Sequence, residues 1–78
     1  MVAILIGPGI NHIVEVPELP ATGDELNLES VMLKPGIYRL TRDGARNWGG
    51  KEYPFYRFQR TADLPDGATP ISMALMNC

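Results

Sequence analysis

The sequence predicts an all-β domain: a small antiparallel barrel or strongly bent sheet of five to six short strands, with at most one short helical turn. Three observations predict it. Eight glycines and seven prolines among 78 residues interrupt the chain too often for long helices, because proline lacks a donor N–H and glycine is costly to order. Apolar residues recur at every second position over short stretches, the period of a half-buried strand. Turn-forming pairs separate those stretches, among them Pro35-Gly36, Asp43-Gly44, Gly49-Gly50 and Asp66-Gly67. A chain of this length is a single domain, 1–78, which buries only roughly 60% of the surface its unfolded form exposes. Self-association is a common supplement to so small a core.

The elements follow in order. Val2 to Ile6 is an uninterrupted β-prone run, the pattern of a strand buried on both faces or covered by a partner. It is too apolar for an exposed edge, so it belongs inside the sheet or across a subunit boundary. After Gly7-Pro8-Gly9, Ile10 to Val16 places His12, Val14 and Val16 on one face and Ile13 and Glu15 on the other. Pro17 and Pro20 end that strand.

Ala21 to Asp24 forms a turn into Glu25–Leu28, where Leu26 and Leu28 share a face; Val31 to Leu33 extends this strand past a bulge near Ser30. Pro35-Gly36 suits a type II turn. Ile37 to Arg42 alternates again, Tyr38 and Leu40 against Ile37, Arg39 and Thr41. Asp43-Gly44 opens a connection that closes at Gly49-Gly50. Tyr53 to Arg60 is the strongest strand, with Pro54 marking an edge or a strand start. Leu64 to Gly67 is a turn, and Ile71 to Met76 the last strand. Residues 31–33 and 71–76 also fit single helical turns, which periodicity does not separate from strands in runs so short.

The segment Leu19-Pro20-Ala21-Thr22-Gly23-Asp24-Glu25-Leu26, a proline followed by Gly-Asp and an alternating strand, resembles the segments that lead into strands in many SH3-like barrels. The resemblance covers eight residues and bears on fold alone.

Charge is unevenly placed. The net charge is −2, too balanced to imply a nucleic-acid or membrane partner. Yet residues 1–33 hold Glu15, Glu18, Asp24, Glu25 and Glu29 and no Lys or Arg, whereas 34–60 hold every basic residue: Lys34, Arg39, Arg42, Arg46, Lys51, Arg57 and Arg60. All the aromatic residues, Tyr38, Trp48, Tyr53, Phe55, Tyr56 and Phe58, lie in that same basic segment. In a paired hairpin of 37–42 with 53–60, the three-residue spacings of Arg39/Arg42 and Arg57/Arg60 put at most one arginine per strand on a given face. The loop carrying Arg46, Trp48 and Lys51 adds two cations and a large ring, which either folds over the core or anchors a contact.

Interleaved cations and rings fit an acidic protein segment or, alternatively, single-stranded nucleic acid. The structural alternative is that the rings fill the core while the arginines are solvated or paired with the acidic first third. In an oligomer, acidic 1–33 of one subunit would face basic 34–60 of another.

Other chemistry has little support. The sequence has no phosphate-binding glycine motif. His12 is the only histidine and Cys78 the only cysteine, too few for a zinc centre without distant carboxylates. A His12/Cys78 nucleophilic pair would hang on a chain-terminal residue. Asp24 and Glu25, adjacent on a strand, point apart. A small enzyme is therefore the third reading, and no cofactor or metal is expected. The lone cysteine excludes an internal disulfide and fits a reducing compartment. The apolar start has no Lys or Arg before it and stops at Gly7, which reads as neither signal peptide nor membrane span.

The expectation is a soluble cytoplasmic accessory domain that acts by protein contact or homo-oligomerisation. Its surface would comprise Arg39, Arg46, Trp48, Lys51, Tyr53, Phe55 and Arg57.

Overall fold

The computed structural model describes residues 2–7 and 11–75. The proposed turn at Pro8-Gly9, the strand start at Ile10, the strand end at Met76 and the Cys78 thiol lie outside the described residues. The chain forms β1 (Val2–Gly7), β2 (His12–Val16), β3 (Glu25–Ser30), β4 (Leu33–Trp48), β5 (Lys51–Ala62), β6 (Ile71–Ser72) and β7 (Ala74–Leu75), with no helix among the described residues. These seven strands make one sheet in the order β6-β3-β4-β5-β1-β2-β7.

The two ends of that order explain the barrel. β6 pairs with β3 and β7 pairs with β2, and only Met73 separates them in the chain. One five-residue strap, Ile71–Leu75, therefore bridges the gap between the outermost long strands and nearly closes the sheet on itself. Met73 points into the interior at 7% exposure, and its N–H donates to Glu29 O at 2.9 Å. The same seam is crossed by a side chain: His12 Nε2 lies 3.0 Å from Ser30 Oγ. Ser30 Oγ already accepts the N–H groups of Met32 and Leu33, each at 3.1 Å.

The core follows the alternation read from sequence. Ile4, Ile6, Val14, Val16, Leu28, Tyr38, Leu40, Tyr56 and Met73 form it, with Val2, Leu26, Leu33, Phe58 and Ile71 packed around them. His12, Val14 and Val16 are buried while Glu15 is exposed, as expected. β1 lies between β5 and β2, with Ile4, Leu5 and Ile6 all buried. The apolar run is thus internal to the sheet. Tyr56 seals one end of the barrel by donating its hydroxyl to Pro20 O at 2.5 Å.

Several local expectations are corrected. Two strands are long, with 16 residues in β4 and 12 in β5, and the sheet is mixed, because β1–β5 and β3–β6 pair in parallel. Val31 and Met32 do not extend β3; they are the turn of the β3–β4 hairpin, with Ser30 paired to Leu33. The Ser30 hydroxyl closes that turn from within, a competition between side chain and ladder that apolarity alone conceals.

Pro35-Gly36 is not a turn. It lies inside β4, where Leu28 pairs with Gly36. A Cβ at Gly36 would sit 2.7 Å from Arg60 Nε and 3.0 Å from Ala62 O, so a larger residue there would displace the Arg60 side chain and crowd the neighbouring backbone. The last strand is split at Met73 into β6 and β7.

The largest correction concerns 43–50. This is no open connection but the continuation of β4, joined to β5 by a two-residue turn. Gly49 and Gly50 have φ of 62° and 81°, the positive values of a type I′ turn, whose twist matches that of the flanking strands. At Asp43-Gly44 the ladder bulges. Arg42 pairs with Tyr56 and Ala45 with Pro54, so two residues of β4 oppose Phe55 alone. Gly44 supplies the positive φ, 83°, at that bulge.

Candidate functional site

The bulge decides which side chains meet. Opposed residues in a ladder share a face, and one extra residue reverses the odd–even count of its own strand. Before the bulge, the odd residues Arg39 and Thr41 pair with Gln59 and Arg57. After it, the even residues Arg46 and Trp48 pair with Tyr53 and Lys51. All of these, with Phe55, thus lie on one face, the side of the ladder away from Tyr38, Leu40 and Tyr56. Every residue expected from sequence, Arg39, Arg46, Trp48, Lys51, Tyr53, Phe55 and Arg57, is on that outer face. The limit of one arginine per strand holds for Arg39/Arg42 and Arg57/Arg60, yet the bulge brings a second β4 arginine, Arg46, to the same side.

Along β5, from Gln59 to Lys51, the face runs about 26 Å at the usual strand rise. Its outer third projects beyond the barrel. Among the described residues, β3 and its preceding turn bond β4 only as far as Arg42, through Thr22 Oγ1 accepting the Arg42 N–H at 3.0 Å. On the other side, β1 pairs with β5 from Phe55 onward. Among the described residues, 45–54 are therefore a two-stranded ribbon with neither edge paired to a further strand. The extents of 39 × 24 × 23 Å reflect that projection.

The six rings divide by face. Tyr38 and Tyr56 are core residues, and Phe58 packs edge-on to Tyr38 with centroids 5.7 Å apart. Phe55 is buried on the opposite face, where it pairs with Leu5 and is roofed by the Arg46 guanidinium 4.5 Å from its centroid. It is the floor of the surface. Trp48 does not join the core. It is half-buried against Tyr53, with centroids 6.1 Å apart and planes inclined at 51°. The Lys51 ammonium lies 5.4 Å from the Tyr53 centroid.

The cations fall into two sets. Arg39 faces Glu25 at 3.7 Å, and Arg57 donates from Nε to Asp43 Oδ2 at 2.9 Å. Both pairs are exposed and contribute little to stability. Between these two arginines lies an open depression of about 270 Å³ lined by Arg39, Thr41, Arg57 and Gln59, with Phe58 between. Arg46 and Lys51 rest on rings and have no carboxylate within ion-pair distance among the described residues. A ring face orients a cation without neutralising it. Arg42 is on the other face, 5.6 Å from the Tyr56 centroid, with Nε donating to Gly44 O at 2.8 Å.

Arg60 is remote from this surface. Its hydrogen bond to Asp63 raises its own pKa and holds the Asp63 carboxyl below the usual carboxylate range.

The remaining candidates are scattered. His12 is wholly buried at the barrel seam. Asp24 accepts the Ala21 N–H at 2.9 Å and belongs to its turn. No group of three or more His, Cys, Asp or Glu able to hold a metal occurs among the described residues. Sequence reasoning missed Thr41, Gln59, Glu25 and Asp43 as parts of the surface. It also missed the exposed apolar residues Leu19, Val31, Met32 and Leu75. The signal for Val31 and Met32 was Ser30, a turn-closing residue three positions before the ladder resumes at Leu33.

Fold and surface together define a class of object: a small, nearly closed β-barrel carrying a projecting cationic and aromatic ribbon. No family model matches the chain, and no curated protein or solved structure matches it.

Proposed function

We propose that the protein is a small binding module, acting without catalysis, that docks a carboxylate-bearing protein segment on the outer face of the β4–β5 ribbon. One observation carries this reading: Arg46 and Lys51 flank the Trp48/Tyr53 pair on a ribbon outside the barrel, charged and without an ion-pair partner among the described residues. Tryptophan and arginine beside each other are typical of contact anchors, and Trp48 is not among the residues packed into the core.

The same geometry favours a protein over single-stranded nucleic acid. Base stacking needs open ring faces, but Phe55 is roofed by Arg46, while Tyr53 is flanked by Lys51 and Trp48. Two of the four cations on the face already have carboxylate partners in Glu25 and Asp43. A cytoplasmic setting belongs to this proposal too, supported by a single cysteine that has no internal partner for a disulfide.

The test is an NMR titration of the isotope-labelled protein with a short peptide of Glu and Leu, beside a short oligothymidylate. The peptide is expected to shift the Trp48 indole and the amides of 45–53, and the oligonucleotide to leave them in place. Shifts only with the oligonucleotide, steeply lost as salt rises, would replace this reading with the nucleic-acid one. No shift with either would remove it.

A further inference from the structure

We infer that the partner of the ribbon face is a second copy of this chain, docked head to tail through its exposed segment Glu15–Leu19. The inference rests on the proposed role of the ribbon and names its occupant.

The segment has the complementary chemistry. Glu15, Pro17, Glu18 and Leu19 are exposed, Leu19 at 47%, and neither Glu15 nor Glu18 takes part in an ion pair among the described residues. Pro17 and Pro20 restrict the backbone on either side of the bend at Pro17 and Glu18, and Pro20 is tied to the barrel by the buried Tyr56 hydroxyl. A segment fixed before docking loses little conformational entropy on binding.

Spacing agrees as well. Glu15 and Glu18 are three residues apart across the bend at Pro17 and Glu18, no more than about 10 Å. Arg46 and Lys51 are one strand and two residues apart in the ladder, about 8 Å on the diagonal. Flexible side chains span the difference, and Leu19 then falls beside the Trp48/Tyr53 pair.

Within one molecule the two sets do not meet: neither Glu15 nor Glu18 is ion-paired with Arg46 or Lys51 among the described residues. Donor and acceptor are different surfaces, which makes the contact heterologous: copies add into a ring or an open chain instead of a two-fold dimer.

The experiment is light scattering on the eluting protein, at an ionic strength of about 0.01 M, where the screening length is roughly 30 Å, and at about 1 M, where it is about 3 Å. The wild type is expected at multiples of 8.6 kDa in low salt, falling towards one protomer in high salt. Glu15→Lys with Glu18→Lys, and separately Arg46→Glu with Lys51→Glu, should each elute as single protomers with unchanged circular dichroism. Mixed, they should reassociate, because each retains the surface the other has lost.

A wild type that stays a single protomer at every concentration in low salt overturns the inference, and so does a mixture that fails to reassociate. The Glu15→Lys/Glu18→Lys protein, titrated with the acidic peptide, separates the two failures. Where the wild type fails to associate, peptide shifts retained at Trp48 of this variant sink the self-docking alone, whereas their absence sinks the ribbon reading with it.

Discussion

Gly44 is the residue on which the surface turns, and Gly44→Val tests it. At φ of 83°, a β-branched residue is strained by about 1–2 kcal/mol. Nothing lies within 4 Å of the position its Cβ would take, so the cost is backbone strain and not collision. The chain can escape only by giving up the bulge, which slides β4 by one residue, sets Arg46 opposite Glu52, and turns Arg46 and Trp48 to the other face. That register loses the Arg46–Phe55 contact, about 0.5–2 kcal/mol, and the Trp48–Tyr53 contact, about 0.5–1.5 kcal/mol.

Strain and escape are therefore similar in size, and a loss of about 1–2 kcal/mol is expected by either route. In a domain of this length that corresponds to a fall of about 4–16 °C in Tm. A circular-dichroism melt reads the fall, while emission from the sole tryptophan, Trp48, tells the routes apart, being unchanged when the bulge survives. Asn tolerates the left-handed region, so Gly44→Asn should lose clearly less than Gly44→Val. An unchanged Tm for Gly44→Val, or equal losses for the two variants, would refute the claim that this backbone conformation holds the ribbon in register.

Three further outcomes are expected. Tyr56→Phe leaves the buried Pro20 carbonyl without its donor and should cost about 1–3 kcal/mol in denaturant titration. Ser30→Ala removes the oxygen shared by the Met32 and Leu33 amides and His12; a loss of about 1–3 kcal/mol should come with faster amide exchange in Ile71–Leu75, because the seam opens there. Asp63 has a folded pKa below its ordinary 3.8, so its contribution is present above pH 3.8 and lost as pH falls through the folded value. Asp63→Asn should accordingly lower Tm slightly at neutral pH, with the difference from wild type vanishing in strong acid.

Alternation was enough to read β1, β2, the Leu26/Leu28 face and the Tyr38/Leu40 face, since a strand's period of two maps directly onto inside and outside. It failed where the ladder departs from that period. Ser30 closes a turn with its hydroxyl, so Val31-Met32 looked like strand. Pro35-Gly36 has turn composition, but Gly36 lies in β4, where a Cβ would crowd the Ala62 carbonyl of the neighbouring strand at 3.0 Å, a contact that no local pattern encodes. Asp43-Gly44 and Gly49-Gly50 are equally suggestive as dipeptides, and only long-range pairing assigns one to a bulge and the other to a hairpin turn. The candidate residues were legible as a composition, cations among rings. That they share a face was not legible, because the bulge falls between Arg39 and Arg46.

The barrel and the ribbon answer different demands. The described core is complete without residues 45–53: Leu33, Tyr38, Leu40, Tyr56 and Phe58 are what β4 and β5 contribute to the interior. Ending the hairpin near Arg42 and Tyr56 would keep those rings in place. The chain instead continues both strands to Gly49-Gly50, although a two-stranded ribbon with open edges is at best marginally stable in water. What the extension holds are Arg46, Trp48, Lys51 and Tyr53, with Phe55 at its base. Their contacts with one another, each on the order of 1 kcal/mol, are about what is needed to keep the ribbon formed, and they add nothing to the barrel. A segment that stabilises only itself, and places there the one tryptophan and two cations without ion-pair partners among the described residues, fits the docking role proposed for it.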